Sequence, residues 1–115
     1  MNVSVRHLCG EKGEEMTEEG YEGVNSVMIQ PERMDVRAFS SRIFRIKPDG
    51  HTSMHAHPRE HIAVVVEGMC RVEYDDEVIE VEEGGIVNIP SNVPHRFTNP
   101  SKDLLVLLIM NIHTG

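Results

Sequence analysis

Four histidines carry the densest chemical signal in this chain. His55 and His57 flank a single residue, Ala56. Successive side chains of a strand point to opposite faces, so these two imidazoles project to the same side and present two nitrogen donors to one metal ion. His61 follows after Pro58, Arg59 and Glu60. A helical pairing of His57 with His61 is disfavoured, because Pro58 lies between them and the β-branched run of residues 62–66 follows. A turn or bulge at Pro58 instead returns His61 toward the same interior. His95 opens another predicted strand further on. Three histidines within seven residues on a β element point to a metal site. The other reading of the same residues is a solvated, histidine-rich turn. Imidazole donors suit Fe, Ni, Cu, Zn or Mn and disfavour Ca and Mg. His7 and His113 lie near the termini and read as incidental, while His51 shares strand parity with His55 and sits at the mouth.

The elements that must position these rings read as β throughout. Residues 39–47 alternate, and Pro48, Asp49 and Gly50 supply a turn. Residues 62–66 predict a buried strand ended by Gly68, and residues 70–74 predict the next. Asp75 and Asp76 offer a hairpin turn into residues 78–82, and Gly84 and Gly85 turn the chain into residues 86–89. Residues 95–99 and 104–112 are the last predicted strands. Many short strands separated by turn signals indicate an all-β sandwich or barrel. Residues 1–30 predict a loose acidic arm, punctuated by Gly10, Gly13, Gly20 and Gly23, followed by a first edge strand at 24–29. Residues 31–115 form the barrel domain.

Composition bounds the function. At 115 residues the chain is one domain. Eleven Lys and Arg against nineteen Asp and Glu give a formal charge of −8. That excludes the basic stripe of a nucleic-acid binder and disfavours an anionic membrane surface. Two cysteines build no disulfide framework. The longest apolar run, residues 104–110, is far short of the ~20 residues of a membrane-spanning helix, and the N-terminus shows no signal-peptide pattern. The expectation is a cytoplasmic protein that binds neither nucleic acid nor membrane.

Two spaced patterns carry a resemblance. Gly50, His55, His57, His61 and Gly68 follow the order of G(X)5HXH(X)3,4E(X)6G, and Gly84, Pro90, Asn92, His95 and Asn99 follow G(X)5PXG(X)2H(X)3N. At these residues the chain resembles a cupin, across residues 50–99. Three departures stand out. Gly50 is one residue too close to the histidine pair, so that Asp49 takes the turn position. Asn92 replaces a glycine, which the tolerance of Asn for left-handed turns permits. His61 stands where most cupins have Glu.

The resemblance implies a single double-stranded β-helix, or jelly-roll barrel, of the small four-histidine subgroup, with His55, His57, His61 and His95 as ligands. It implies one divalent transition-metal ion per chain, manganese or iron favoured, with nickel, copper and zinc seen in related proteins. Four neutral ligands leave such an ion its full charge and two open positions. That is the architecture of a site for a small organic ligand, and suits an oxygenase- or isomerase-type enzyme. The alternative is a non-catalytic cupin that binds or senses metal and small molecules. Strand parity then proposes walls. Ala63 points inward with His61, and Phe97 with His95. Arg42 and Arg59 are candidates for an anionic ligand at the rim, Arg96 is discounted by parity, and His51 lies near the mouth. Glu60 is one residue short of the ligand position. No carboxylate has inward parity near the metal, so a general base would have to be metal-bound hydroxide or a group from the N-terminal arm. Small cupins are usually homodimers, and the apolar outward parity of Ile62, Val64 and Val66 needs a cover.

Overall fold

The computed structural model describes residues 3–31, 34 and 38–113. Nine strands are present among them: β1 (Glu14–Glu15), β2 (Glu22–Met28), β3 (Phe39–His51), β4 (Arg59–Glu67), β5 (Cys70–Tyr74), β6 (Glu77–Val81), β7 (Ile86–Ile89), β8 (His95–Thr98) and β9 (Leu105–His113). Their hydrogen-bonded order is β6-β5-β8-β3-β9-β4-β7, with β2 also paired to β3 and β1 to β2. The sheet curls into a nearly closed all-β barrel. Among the described residues its one helical element is a single 3-10 turn at Leu8–Gly10.

The 13-residue β3 makes the closure possible. Its first eight residues pair with β9, from Phe39 opposite Ile112 to Ile46 opposite Leu105. Its last residue, His51, pairs with Thr98 of β8 on the other side of the barrel. Where the sequence predicts a turn at residues 48–50, the chain bends but keeps going. The register to β2 jumps from Val24–Ile46 to Glu22–His51, so residues 47–50 bulge out of the ladder. The left-handed residue there is Asp49, at φ 65°, not Gly50. Gly50 serves a different need: a Cβ on it would stand 2.7 Å from the Glu22 carbonyl oxygen and 2.9 Å from the Ile46 side chain. Only glycine lets β2 cross this close.

Inward alternation fills the barrel. Phe44, Ile46, Val65, Val72, Leu105 and Leu107 are among the buried residues of its main cluster. On the opposite face of β3 and β9, Val27, Ile43 and Val106 form a smaller cluster with Leu108. Of the outward residues of β4, Ile62 and Val64 are half-buried and Val66 is exposed. Where the sequence predicts a loose arm, the described part of it is docked. Arg45 donates to the carbonyls of Leu8 and Glu11 at 2.9 Å, and Arg6 to those of Met28 and Ile29. Met16 and Tyr21 pack against the main core. Apolar anchors and guanidinium–carbonyl bonds explain why an acidic, glycine-rich stretch nevertheless holds a place. No helix among the described residues is long and apolar enough to cross a membrane.

Candidate metal centre

The four histidines arrive from three directions. His55 and His95 form an isolated antiparallel bridge, each backbone N–H donating to the other's carbonyl, at 3.3 and 3.1 Å. This couples the loop after β3 directly to the start of β8. Just before it, the Thr52 N–H donates to the Phe97 carbonyl, and the Phe97 N–H donates to Thr52 Oγ1. The carbonyl of His57 accepts from the Asn92 N–H at 2.6 Å. Asn92 has φ 65°, the left-handed conformation in which it replaces the motif glycine. His61 sits on β4 between Ile89 of β7 and Asn111 of β9, in extended backbone that leaves no helical relation to His57.

The rings form a contiguous group. Centroid distances are 5.3 Å for His55–His57, 5.4 Å for His57–His61 and 4.8 Å for His61–His95. A metal–nitrogen bond of about 2.1 Å and a ring radius of about 1.1 Å would put neighbouring ring centres about 4.5 Å apart at a right angle between ligands and about 5.2 Å apart at the tetrahedral angle. Among the described residues, no group of three or more His, Cys, Asp or Glu side chains is placed so that it could hold a metal ion as it stands. The donor types and the spacing of neighbouring ring centres are nonetheless close to what one ion would require.

Protonation and tautomer suit the same purpose. Burial, then the charges of His95, His57 and Arg59, push His61 down to about 4. Burial first, then Arg59, lowers His57 as well. Burial also lowers His95, against the opposing hydrogen bond to Val93. These rings are therefore neutral at pH 7, with lone pairs free for a Lewis acid. His95 Nδ1 donates to the Val93 carbonyl at 2.9 Å, which leaves Nε2 as the acceptor nitrogen. The Nε2 of His61 is buried with no partner.

A cavity of about 360 Å³ opens over the group. This is at the lower end of small-molecule sites. His55, His57, His61 and His95 all line it, as do Arg42, Arg59 and Phe97. Two residues proposed from parity do not. Ala63 is 1% exposed and lies in the core, one inward row below His61, where Arg42 and Ile109 of the same row form the wall instead. His51 lies outside the lining, with Nδ1 donating to the Thr52 carbonyl at 3.1 Å. Glu60 is exposed and also outside it. Arg96, discounted by parity, is paired with Glu73 at 2.5 Å. Asn99 is fully buried but structural, its amide donating to the carbonyls of Ile46 and Asp103.

Sequence reasoning does not find the wall supplied by the arm: Met16, Glu18 and Tyr21 all line the cavity. Glu18 is the only carboxylate among the described lining residues. The one local signal was Gly20. It has φ 92°, and a Cβ there would stand 2.6 Å from the Cβ of Ser53, so the arm crosses the cavity rim at a contact only glycine permits.

Known proteins resemble this arrangement. An uncharacterized protein of Streptomyces coelicolor is 27% identical over 75 residues, covering 65% of this chain and 71% of that one. The polyketide cyclase RemF of Streptomyces resistomycificus superposes with a TM-score of 0.81 at 24% identity, covering 96% of this chain and 79% of that one. A predicted oxalate decarboxylase of Thermotoga maritima gives a TM-score of 0.76 at 15% identity, covering 83% and 85%. These two likenesses establish the fold. The Cupin_2 model, the cupin domain, matches residues 42–111, a span that runs from the middle of β3 into β9 and holds all four histidines; the chain belongs to the cupin family.

Proposed function

We propose that this cupin is a metal-dependent enzyme acting on a small organic molecule, of oxygenase or isomerase type. In this reading His55, His57, His61 and His95 hold one divalent transition-metal ion, manganese or iron foremost. The observation that carries it is the run of four contiguous imidazoles, three of them held neutral, on the wall of one cavity. When bound, the ion supplies Lewis acidity to a ligand oxygen. The chain supplies the rest. Phe44, Phe97 and Ile109 give the cavity an apolar floor that excludes water from the reacting group. Glu18 and Tyr21 stand on the wall contributed by the arm. Glu18 is the group available to take a proton from substrate, and Tyr21 the group available to donate one. The polyketide cyclase and the predicted oxalate decarboxylase show that this fold hosts small-molecule chemistry, and support an enzyme over a purely structural barrel. A homodimer, with a second copy over Ile62, Val64 and Val66, belongs to the same reading and is tested by light scattering.

The decisive experiment is metal analysis of protein purified without a histidine tag, in parallel with His57→Ala. Expected are close to one transition-metal ion per native chain and a large loss in the variant. A native protein with no affinity for manganese, iron, nickel, copper or zinc refutes the metal centre. If metal binds but no candidate substrate is turned over, the enzyme reading gives way to a binding or sensing cupin.

A further inference from the structure

Seven buried side-chain polar atoms of the described residues have no hydrogen-bond partner, and five of them belong to residues lining the histidine cavity: Arg42 Nε, Ser53 Oγ, Arg59 Nε, His61 Nε2 and Asn111 Oδ1. Unmet hydrogen-bonding capacity is rare in folded interiors, and its concentration in one cavity marks a place built for a ligand. The two arginines are the informative members. Both side chains are half-buried, but each holds its Nε–H buried and unbonded, and a buried N–H of a charged group is costly unless an anion or another acceptor answers it. The arginines that do have answers show the contrast: Arg71 pairs with Glu80, Arg96 with Glu73, and Arg6 with Glu11. Arg42 and Arg59 form no ion pair with any carboxylate of the described residues. Glu18, the carboxylate on the same wall, is exposed and pairs with neither.

The strand register places them. Ser40, Asn111 and His61 lie in one row across β3, β9 and β4. Arg42 is two residues further along β3 from Ser40, in the inner row with Ile109 and Ala63. Arg59 is two residues from His61 in the other direction along β4, opposite His113. The two cations thus bracket the row that carries His61, one toward the barrel floor and one toward the mouth. An uncharged ligand would leave both positive charges without a counter-charge.

We propose that Arg42 and Arg59 form an anion subsite, and that the substrate class of this cavity is a small organic acid whose carboxylate is held by these guanidinium groups. The inference rests on the ligand-binding reading of the cavity but not on the metal, because neither arginine is a metal donor. A guanidinium binds a carboxylate through charge-assisted hydrogen bonds. Asn111 Oδ1 and Ser53 Oγ then remain to accept from, or donate to, a hydroxyl or keto oxygen elsewhere on the same molecule.

The test uses the whole chain, stripped of metal with a chelator, at pH 7 and constant ionic strength. Succinate is titrated against 15N-labelled protein, and the arginine Nε–Hε resonances are followed, with succinamide and chloride as controls. Arg42→Met and Arg59→Met assign the two resonances and supply variants of similar length. Expected are saturable shifts of both resonances with succinate alone, and at least a tenfold weaker affinity in each variant. Resonances that stay still, shifts that succinamide or chloride reproduces, or unchanged affinity in both variants overturn the proposal. The native titration needs no substitution, so a variant that fails to fold does not remove the test. Metal binding without a succinate response leaves the metal centre standing and defeats the subsite. A succinate response in a protein that takes up no metal does the reverse.

Discussion

Lowering the pH should destabilise this protein through its histidine cluster, with His61 as the largest identifiable contributor. His61 is 8% exposed, and its proton affinity falls to about 4 in the fold, against an ordinary value of 6.5. The folded state therefore binds fewer protons than the unfolded chain between these two values. The contribution to stability is complete above pH 6.5 and is lost as pH falls toward 4. At about 1.4 kcal/mol per pH unit, the ring withdraws about 2 kcal/mol between pH 7 and pH 5, and about 3 kcal/mol once it is protonated in both states. That is a substantial share of a typical domain's 5–15 kcal/mol, roughly. His57 and His95 are shifted in the same direction and add to the loss. The assay is urea unfolding of metal-stripped protein at pH 7 and pH 5, followed by circular dichroism, for the native chain and His61→Leu. Other groups titrate over this range in both proteins, so the quantity of interest is the difference between the two pH dependences. The native protein should lose about 2 kcal/mol more than the variant. Parallel pH dependences, or an NMR titration in which the His61 ring takes its proton near 6.5, would refute the reasoning.

Three further outcomes follow from particular contacts. Gly20→Ala should detach the arm at a cost of about 1–3 kcal/mol, because the new Cβ meets Ser53 in a left-handed backbone, and a glutamate-specific protease should then cut within residues 11–22 much faster. Asn99→Ala should destabilise the barrel by about 2–4 kcal/mol on thermal unfolding. It removes the amide that now bonds the Ile46 and Asp103 carbonyls and the Ser101 N–H, leaving Asp103 only its weaker bond from Ser101 Oγ. Gly50→Ala should cost about 2–4 kcal/mol by forcing β2 away from the bulge, seen as increased hydrogen exchange along residues 22–28, whereas Asp49→Gly should cost little.

Much of the fold was legible because its signals are local. β5 and β7 lie where alternation and turn residues place them, and β4, β6, β8 and β9 shift by only a few residues at their ends. Two spaced patterns bring the four histidines to one place before any coordinates are considered, since each pattern couples a histidine to the turn that presents it. The misplacements have a common physical origin. The turn expected at residues 48–50 is a bulge within one strand, and whether such residues reverse the chain or only bend it depends on β2, a partner far away in sequence. Parity set Ala63 inward, as it is, but could not tell the row at the cavity from the row beneath it. The arm is marked in the sequence only as a candidate source of a general base, and its place on the cavity wall was not legible. Its sequence reads as solvated because its few anchors, Met16 and Tyr21, are widely spaced, and the guanidinium groups of Arg6 and Arg45 that tether it act on backbone carbonyls, which no side-chain pattern reveals.

The docked arm also separates two things that a barrel ordinarily inherits together. The histidines and arginines of the cavity belong to residues 42–111, the span shared with the family, whereas Met16, Glu18 and Tyr21 come from before it. Part of the wall that meets a ligand is thus carried by a segment contributing only two side chains to the main core. Exchange or redesign of residues 14–21 is therefore a route to altered selectivity that spares both the histidine group and most of the stability of the fold, and it makes this short segment the natural place for closely related chains to diverge in what they accept.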